Sequence, residues 1–285
     1  MMTKQKSTQG KFNSFDWQVP RIAASLVQGE DAEALYNAFV EDTENNYHNH
    51  PSFRVVNYDA ETKSMRGANL PLVSRLTELL APSGIRTAVP ADDKYGDVSR
   101  LIDGRFYADF NALVLRIRGD SYAPNDSLAK DLADKIEQKQ GKLKLPVMVV
   151  RPIVRYAENL EYGFIFDLED VTTVIEDERL DEKKYPTGMK FDNVDKIGLP
   201  LFDKKGKRTW YAREDGLSRL FLYCNLDLNS LDEHLADSLD NGRVVLVRGK
   251  APSQKFGAQL STRDKFIDDE KLGSLYESLR KVLGK

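Results

Sequence analysis

Leu217-Ser-Arg-Leu-Phe-Leu-Tyr-Cys-Asn-Leu-Asp227 is a run whose side chains alternate in character, which predicts a β-strand with one face in the core. Downstream, Asn229–Leu239 predicts a short helix opened by a polar cap, and Arg243–Lys250 predicts a second strand. A Pro-Ser-Gln turn then leads into Phe256–Phe266, which predicts a third strand. The order of elements between residues 213 and 272 is therefore strand, helix, strand, turn and strand.

The same order of predicted elements occurs once more, nearer the start of the chain. Ala112–Arg118 predicts a strand, Asn125–Ile136 a capped helix, Leu145–Pro152 a strand and Tyr162–Thr172 a last strand. Both units close with acidic residues followed by leucine. Because a repeat constrains the fold more than any single element does, the pattern indicates two copies of one small domain.

Composition limits the class of protein. A chain of 285 residues with 41% hydrophobic and 31% charged residues is typical of a globular protein with one large or two small domains. No apolar run reaches the roughly 20 residues that a membrane span needs, and the first residues lack the apolar core of a secretory signal. The single cysteine, Cys224, excludes an internal disulfide and a Cys-based zinc site. We expect a cytoplasmic protein that does not contact membranes.

The charges are unevenly distributed along the chain. The net charge of −3 argues against a molecule that is basic as a whole. Three stretches are nevertheless rich in lysine and arginine and poor in acids, namely 196–213, 142–156 and 248–265. All three lie in or beside the repeated units, so we expect any basic surface to be local.

The rest of the chain is organised around the two units. Leu199–Arg213 predicts a hairpin with a basic tip, and Gly29 separates two helical patterns near the start. The apolar stripe of the last helix makes it a candidate contact for a protein partner or a second copy of the chain. The predicted boundaries are a flexible tail at 1–13, a helical N-terminal segment at 14–50, a first domain at 51–180, a linker at 181–197, a second domain at 198–272 and a C-terminal helix at 273–285.

The element order resembles the second half of an oligonucleotide-binding (OB) barrel, in which a helix usually lies between the third and fourth of five strands. The Leu199–Arg213 hairpin supplies the missing first two strands of the second unit. The resemblance to OB-fold single-strand-binding proteins also includes the runs Gly-Arg-Val-Val-Leu-Val-Arg-Gly and Phe-Gly-Ala-Gln-Leu. It covers residues 199–272 and, more loosely, 53–180. The five strands of the second unit then fall at about 199–203, 208–213, 217–226, 243–250 and 256–266.

This resemblance implies the fold class. It is α+β, mostly β, with two OB-like five-stranded barrels and helical N-terminal and C-terminal additions. The motifs are not diagnostic, and a strand-helix-strand-strand unit of another α+β fold would give the same pattern.

The resemblance also selects candidate binding residues, because the OB ligand lies on strands 2 and 3 and on the loops joining strands 1–2 and 4–5. Bases stack on aromatic rings there while lysine and arginine contact phosphates. In the first unit, Arg116 and Arg118 fall on the face opposite Leu113 and Leu115. The candidates in the second unit are Lys204, Lys205, Lys207, Arg208, Trp210, Arg219, Phe221, Tyr223, Lys250 and Lys255.

The expected function is sequence-tolerant binding of single-stranded nucleic acid. The ligand is expected to be DNA, with RNA left open, and the protein to be non-enzymatic and to need no cofactor or metal. Replication or recombination in a phage or plasmid is the expected setting.

The same residues allow other interpretations. Phe221 and Tyr223 also suit packing against another part of the protein, and the Lys204–Arg208 cluster also suits a solvated hairpin tip. Both would favour the first alternative, a structural or assembly protein whose repeated domains bind other proteins. The aromatic residues Tyr162, Phe164 and Phe166, which recur at every second position, favour a core role.

A metal-dependent nuclease is the second alternative. Asp103, Asp109 and Asp120 flank a predicted strand, although no lysine stands in the usual pairing with them. His48 and His50 form a His-x-His pair, but a metal site needs a third or fourth ligand.

Overall fold

Strands dominate the fold of this chain. The computed structural model describes residues 23–54, 56–117, 126–144, 146–160 and 162–248. In these residues the helices are α1 (Glu30–Tyr47), α2 (Leu70–Leu80), α3 (Asp97–Ile102) and α4 (Asp126–Gln140). The strands are β1 (Ala23–Leu26), β2 (Asn57–Asp59), β3 (Ser64–Arg66), β4 (Ile85–Thr87), β5 (Ala108–Arg116), β6 (Val147–Val150), β7 (Ile153–Tyr156), β8 (Phe164–Asp167), β9 (Thr173–Glu176), β10 (Lys190–Val194), β11 (Pro200–Phe202), β12 (Arg208–Ala212), β13 (Gly216–Leu222), β14 (Leu228–Ser230) and β15 (Val245–Arg248). The predicted α+β class with mostly β structure is confirmed.

A curled eight-stranded sheet forms the centre of the molecule. Its strand order is β11-β10-β12-β14-β13-β5-β6-β9, and its pairs are antiparallel except for β12 with β14. Strands from the ranges predicted as the first and the second domain therefore share one sheet. Smaller sheets contain β1-β15-β4, β2-β3 and β7-β8. No helix among the described residues is both long and apolar enough to cross a membrane.

The central pair, β5 and β13, brings the first strands of the two repeats side by side. Leu217 faces Leu115 across this pair, and Leu222 faces Ala108. The alternation predicted from the sequence holds, because successive side chains enter different cores. Leu115 and Leu217 pack with α2 and α4, while Leu222 packs with Trp210 on the opposite face.

Two predicted helices are found where the sequence places them. The apolar spacing of the sequence predicts a helix over Leu70–Leu80, and α2 has these bounds. The side chain of Asn69 caps α2 by accepting a hydrogen bond from Leu72 N at 2.9 Å. The helix α4 agrees with the prediction over Asn125–Ile136 from residue 126 onward and buries Leu132 and Ile136. In both helices the spacing of apolar residues in the sequence matches the face that is buried in the structure.

The predicted helix at Asn229–Leu239 is wrong. Residues 228–230 form β14, and the residues after it have no regular structure. Asn229 Oδ1 accepts from Leu231 N at 2.8 Å, and Asp232 Oδ1 accepts from His234 N at 2.9 Å. These side chains satisfy backbone N–H groups locally and so compete with helical hydrogen bonding.

The predicted hairpin at Leu199–Arg213 is also wrong, because its two strands do not pair with each other. β10, which lies inside the range predicted as a linker, separates β11 from β12 and pairs with both. The turn after β11 folds closely over this strand. At Gly206, a Cβ atom would lie 2.4 Å from the carbonyl carbon of Phe191, so a larger residue would force the turn away from β10.

The N-terminal segment is only partly helical. Gly29 has φ of 86° and precedes α1, as the predicted break requires. Ala23–Leu26, however, is a strand that pairs with β15, so long-range pairing overrides the helical pattern there. Several predictions lie outside the described residues: the tail at 1–13, Arg118, Asp120, Lys250, Lys255, the strand at Phe256–Phe266 and the helix at 273–285.

Candidate nucleic-acid interface

Three exposed lysines form what we call the basic tip, which consists of Lys204, Lys205 and Lys207 in the turn between β11 and β12. Two acids shape this turn through backbone contacts. Asp203 accepts from Lys205 N at 3.0 Å, and Asp192 accepts from Lys207 N at 2.8 Å. Within the described residues none of the three ammonium groups makes an ion pair, so the tip presents its charge to solvent.

A pocket of about 320 Å³ opens beside the basic tip. One wall consists of residues from the 3-10 turn Pro90–Tyr95 and from α3, and the other of residues from β10 and β12 together with Leu226. This volume is at the lower end of the range for small-ligand pockets, about 300–1,000 Å³. The pocket could accommodate one small ring system or one nucleotide base.

Arg208 connects the basic tip to this pocket. Its Nε donates to Leu226 O at 2.6 Å and its Nη2 to Asp93 Oδ2 at 3.3 Å, while its guanidinium lies 4.6 Å from the ring centroid of Phe191. Burial lowers the pKa of Arg208, and Asp93 acts in the opposite direction. Because these contacts fix the side chain, Arg208 gives the pocket a rigid positive wall.

Asp93 is a buried acid at the base of the pocket. Ser99 donates to it from its backbone N at 2.8 Å and from its Oγ at 2.6 Å. Burial raises the pKa of Asp93, while Arg208 and Ser99 lower it. The bonds from Ser99 and Arg208 hold α3 and β12 on opposite sides of the pocket.

Two exposed tyrosines lie in turns that contribute residues to the pocket. Tyr223 follows directly after β13 and is 42% exposed. It lies in the turn that carries Leu226, because Leu226 N donates to Tyr223 O at 2.8 Å. Tyr95 lines the pocket and is 45% exposed, with Lys94 Nζ 5.1 Å from its ring centroid. Exposed rings beside cations are the arrangement on which bases stack.

Sequence analysis missed Tyr95 and Arg100, which both line the pocket. Arg100 is largely exposed, forms an ion pair with Asp97 and donates from Nη1 to Tyr95 O at 2.9 Å. An aromatic residue next to a lysine in a polar loop is the signal that could have indicated Tyr95. Nothing in the sequence indicates that this loop lies beside β10.

Three of the predicted contacts in the second unit are buried. Trp210 has no exposed surface and packs in the core below the sheet. Phe221 points to the predicted face, but Tyr107 covers it edge-on with ring centroids 5.9 Å apart. Arg219 is held by Asp232 at 2.6 Å and lies 4.7 Å from the Phe221 ring. In this structure these three side chains offer no open surface to a nucleic acid.

Arg116 is also buried, and it has a structural role. It lies on the face opposite Leu113, as predicted, and donates to Leu180 O at 2.8 Å, Ser218 Oγ at 2.9 Å and Ser230 Oγ at 3.1 Å. Burial lowers its pKa to about 9. Its donors bind β13, β14 and the 3-10 turn that follows β9, so they are not available to a phosphate.

The residues considered for a metal site are dispersed. Asp109 is buried and lies 3.5 Å from Arg219, whereas Asp103 is exposed at the pocket. His50 accepts from Ser52 N at 3.3 Å through Nδ1 and packs against Gly163. Across the described ranges, no group of three or more His, Cys, Asp or Glu side chains is placed to hold a metal ion.

No protein-family model matches the chain, no curated protein matches it, and no solved structure matches it. The functional argument therefore depends on the residues of the interface themselves.

Proposed function

We propose that this protein binds single-stranded nucleic acid, DNA in the first place, at the end of the sheet that carries the basic tip. The observation that carries the proposal is the positive charge of Lys204, Lys205 and Lys207, which forms no ion pair with any described residue, beside a pocket with the exposed ring of Tyr95. The protein acts as a binding protein without catalysis, and neither a cofactor nor a metal is needed.

The basic tip supplies contacts to phosphates. A lysine that neutralises a phosphate releases a condensed cation, so affinity falls as the salt concentration rises. For single strands, a plot of the logarithm of the binding constant against the logarithm of the salt concentration falls with a slope of about 0.7 per contact. The three lysines of the basic tip therefore account for a slope of about 2 in this plot. Because the net charge of the chain is −3, general attraction to a duplex is weak.

Tyr95 supplies a stacking surface at the pocket, and Tyr223 supplies a second one in the turn that carries Leu226. Each base stacked on an aromatic ring contributes about 1–3 kcal/mol, and the contribution varies little with sequence. Trp210, Phe221, Arg219 and Arg116 hold the scaffold and are not part of the proposed contact.

Fluorescence anisotropy with labelled 15-mers, single-stranded and duplex, at several salt concentrations tests this function. We expect tighter binding to the single strand. The triple variant Lys204→Ala, Lys205→Ala, Lys207→Ala should reduce the salt slope by about 2. Tyr223→Ala should weaken binding about 5–150-fold, the equivalent of one lost stacking contact.

A matched control removes the same charge from another exposed stretch, the last turn of α4 and the residues after it, with Lys139→Ala, Lys142→Ala and Lys144→Ala. This control should leave the slope close to that of the wild type. Equal losses in both triple variants would show that net charge, and not the basic tip, sets the affinity. No binding at low salt would overturn the proposal and favour the assembly alternative, in which the repeated units bind other proteins.

The finer expectations stay predictions. Two OB-like barrels are not needed for this proposal, and the strand expected at Phe256–Phe266 to close the second barrel lies outside the described residues. A role in replication or recombination, a phage or plasmid setting, and partner contact or self-association through the C-terminal helix are predictions of the same kind.

A further inference from the structure

We infer that the pocket beside the basic tip binds one base of the strand and favours a base with an exocyclic amino group, such as cytosine, over uracil or thymine. This inference rests on the proposed function and adds a preference to it. It follows from the polar groups that remain unsatisfied in the pocket wall.

Two carboxylates of the pocket wall have oxygen atoms that are free to accept hydrogen bonds from a ligand. Asp103 lines the pocket, is exposed, and its carboxylate has no hydrogen-bond partner among the described residues. Asp192 uses one carboxylate oxygen to accept from Lys207 N, which leaves the other for a ligand. These carboxylate oxygens suit a ligand edge that donates hydrogen bonds, as the amino group of cytosine does to an acid.

The guanidinium donors in the wall are already occupied by the protein, and the ammonium of Lys94 lies over the ring of Tyr95. The guanidinium of Arg208 binds Asp93 and Leu226 O, and that of Arg100 binds Asp97 and Tyr95 O. A uracil or thymine base would place a carbonyl oxygen where cytosine places its amino group. That oxygen would face carboxylates and find no free guanidinium, so its binding is disfavoured.

Asn193 and Tyr95 complete a site for a base. Asn193 lines the pocket, and its exposed amide also has no hydrogen-bond partner among the described residues, so it can donate and accept. Tyr95 offers a partly exposed ring at the same pocket. The ring binds any base by stacking, and the polar groups select among bases.

The arrangement also separates the base from its phosphate. The carboxylates of the pocket repel a phosphate, whereas the basic tip lies directly beside the pocket, because Lys207 is bonded to Asp192 and precedes Arg208. A nucleotide therefore enters with its base toward the pocket and its phosphate toward the lysines. The pocket and the basic tip act together as one nucleotide site.

The test compares binding of single-stranded 15-mers of deoxycytidine and deoxyuridine to the full chain at neutral pH. The two oligomers share a backbone and lack a methyl group, so they differ mainly in the donor and acceptor pattern of the base edge. We expect the deoxycytidine oligomer to bind about 5-fold or more tightly, as one hydrogen-bonded base contact provides.

Amino-acid substitutions test whether this pocket is the source of the base preference. Asp103→Ala combined with Asn193→Ala should bring the affinity ratio of the two oligomers toward 1, and each single variant should lower it in part. Both residues are exposed, and thermal melting checks that the variants fold. Asp170→Ala removes an exposed acid in the turn after β8 and should keep the wild-type ratio.

The outcomes separate this inference from the proposed function. Equal binding of the two oligomers by the wild type overturns the base preference and leaves single-strand binding intact. A wild-type preference that persists undiminished in Asp103→Ala with Asn193→Ala overturns the assignment to this pocket. If neither oligomer binds at low salt, the proposed function fails and the inference fails with it.

Discussion

Residues 126–140 and residues 229–239 carry similar apolar patterns but fold differently. The first stretch is α4, in which Leu128, Leu132 and Ile136 are all buried. The second has leucines at the same spacing, but it is not helical. Its middle leucine, Leu235, is buried, while Leu231 is 45% and Leu239 61% exposed.

The difference lies in the partners of the polar residues. In α4 the charged side chains pair within the helix, as Lys130 does with Asp134 at 2.7 Å. In the second stretch Asp232 binds Arg219, and Asp237 O accepts from the same guanidinium at 2.8 Å. In residues 229–239 the contacts with Arg219, together with the local bonds of Asn229 and Asp232, therefore replace the helix that the apolar spacing predicts.

The largest expected effect comes from Arg219→Ala. This change leaves Asp109 buried and takes from Asp232 the arginine that pairs with it. The free energy of unfolding should fall by about 3–5 kcal/mol, the usual cost of leaving a buried charge unpaired.

Urea denaturation measures this effect. Lys130→Ala is the control, because it breaks an exposed pair in α4 that contributes about 0.3–0.5 kcal/mol. A loss below about 1 kcal/mol for Arg219→Ala would mean that the arginine does not hold this segment.

Truncating the first leucine of each stretch sharpens the comparison. Leu128→Ala should lower the free energy of unfolding by about 2–5 kcal/mol, because a buried side chain is lost and a cavity remains. Leu231→Ala should stay within about 0.5 kcal/mol of the wild type, since Leu231 is exposed. Similar losses in urea denaturation of both variants would contradict the difference in packing between the two stretches.

The last expected effect concerns the pH dependence contributed by Asp109, which lies on β5 and contacts Arg219 of β13. Burial raises its pKa to about 6, against an opposing effect of Arg219. With a folded-state pKa above the ordinary value, Asp109 stabilises the protein most at low pH, and this contribution is lost as pH rises through 6.

Denaturation of the wild type and of Asp109→Asn between pH 4 and pH 7 measures this contribution. The stability of the wild type relative to the variant should fall by about 2–3 kcal/mol across this range. A constant difference between the two proteins would show that Asp109 does not titrate there.

Local patterns in the sequence were sufficient for several elements. The spacing of apolar residues and the Ala-Pro-Ser-Gly run that follows give α2 its correct bounds, and the alternation in β5 and β13 gives the correct faces. Alternation predicts which way Phe221 points but not that Tyr107 covers it, because the covering residue lies far away in the sequence.

Long-range partners explain the remaining differences. The placement of β10 between β11 and β12 depends on its hydrogen bonding to a different strand on each side, which no local signal in the sequence indicates. The basic tip could be recognised from its lysines alone. The pocket beside it could not, because it needs the loop with Tyr95 to meet β10 from about 100 residues later in the chain.

The central pair of the sheet also determines when the fold can form during synthesis. Gly216 pairs with Arg116 and Leu222 with Ala108, so the partners are about 100 residues apart. At a typical rate of about 5–20 residues per second, the ribosome adds that length in roughly 5–20 s. Until then one edge of β5, which is buried along its length in the finished fold, has no neighbour. Nascent chains of this protein therefore pass through an interval in which a chaperone would protect them from aggregation.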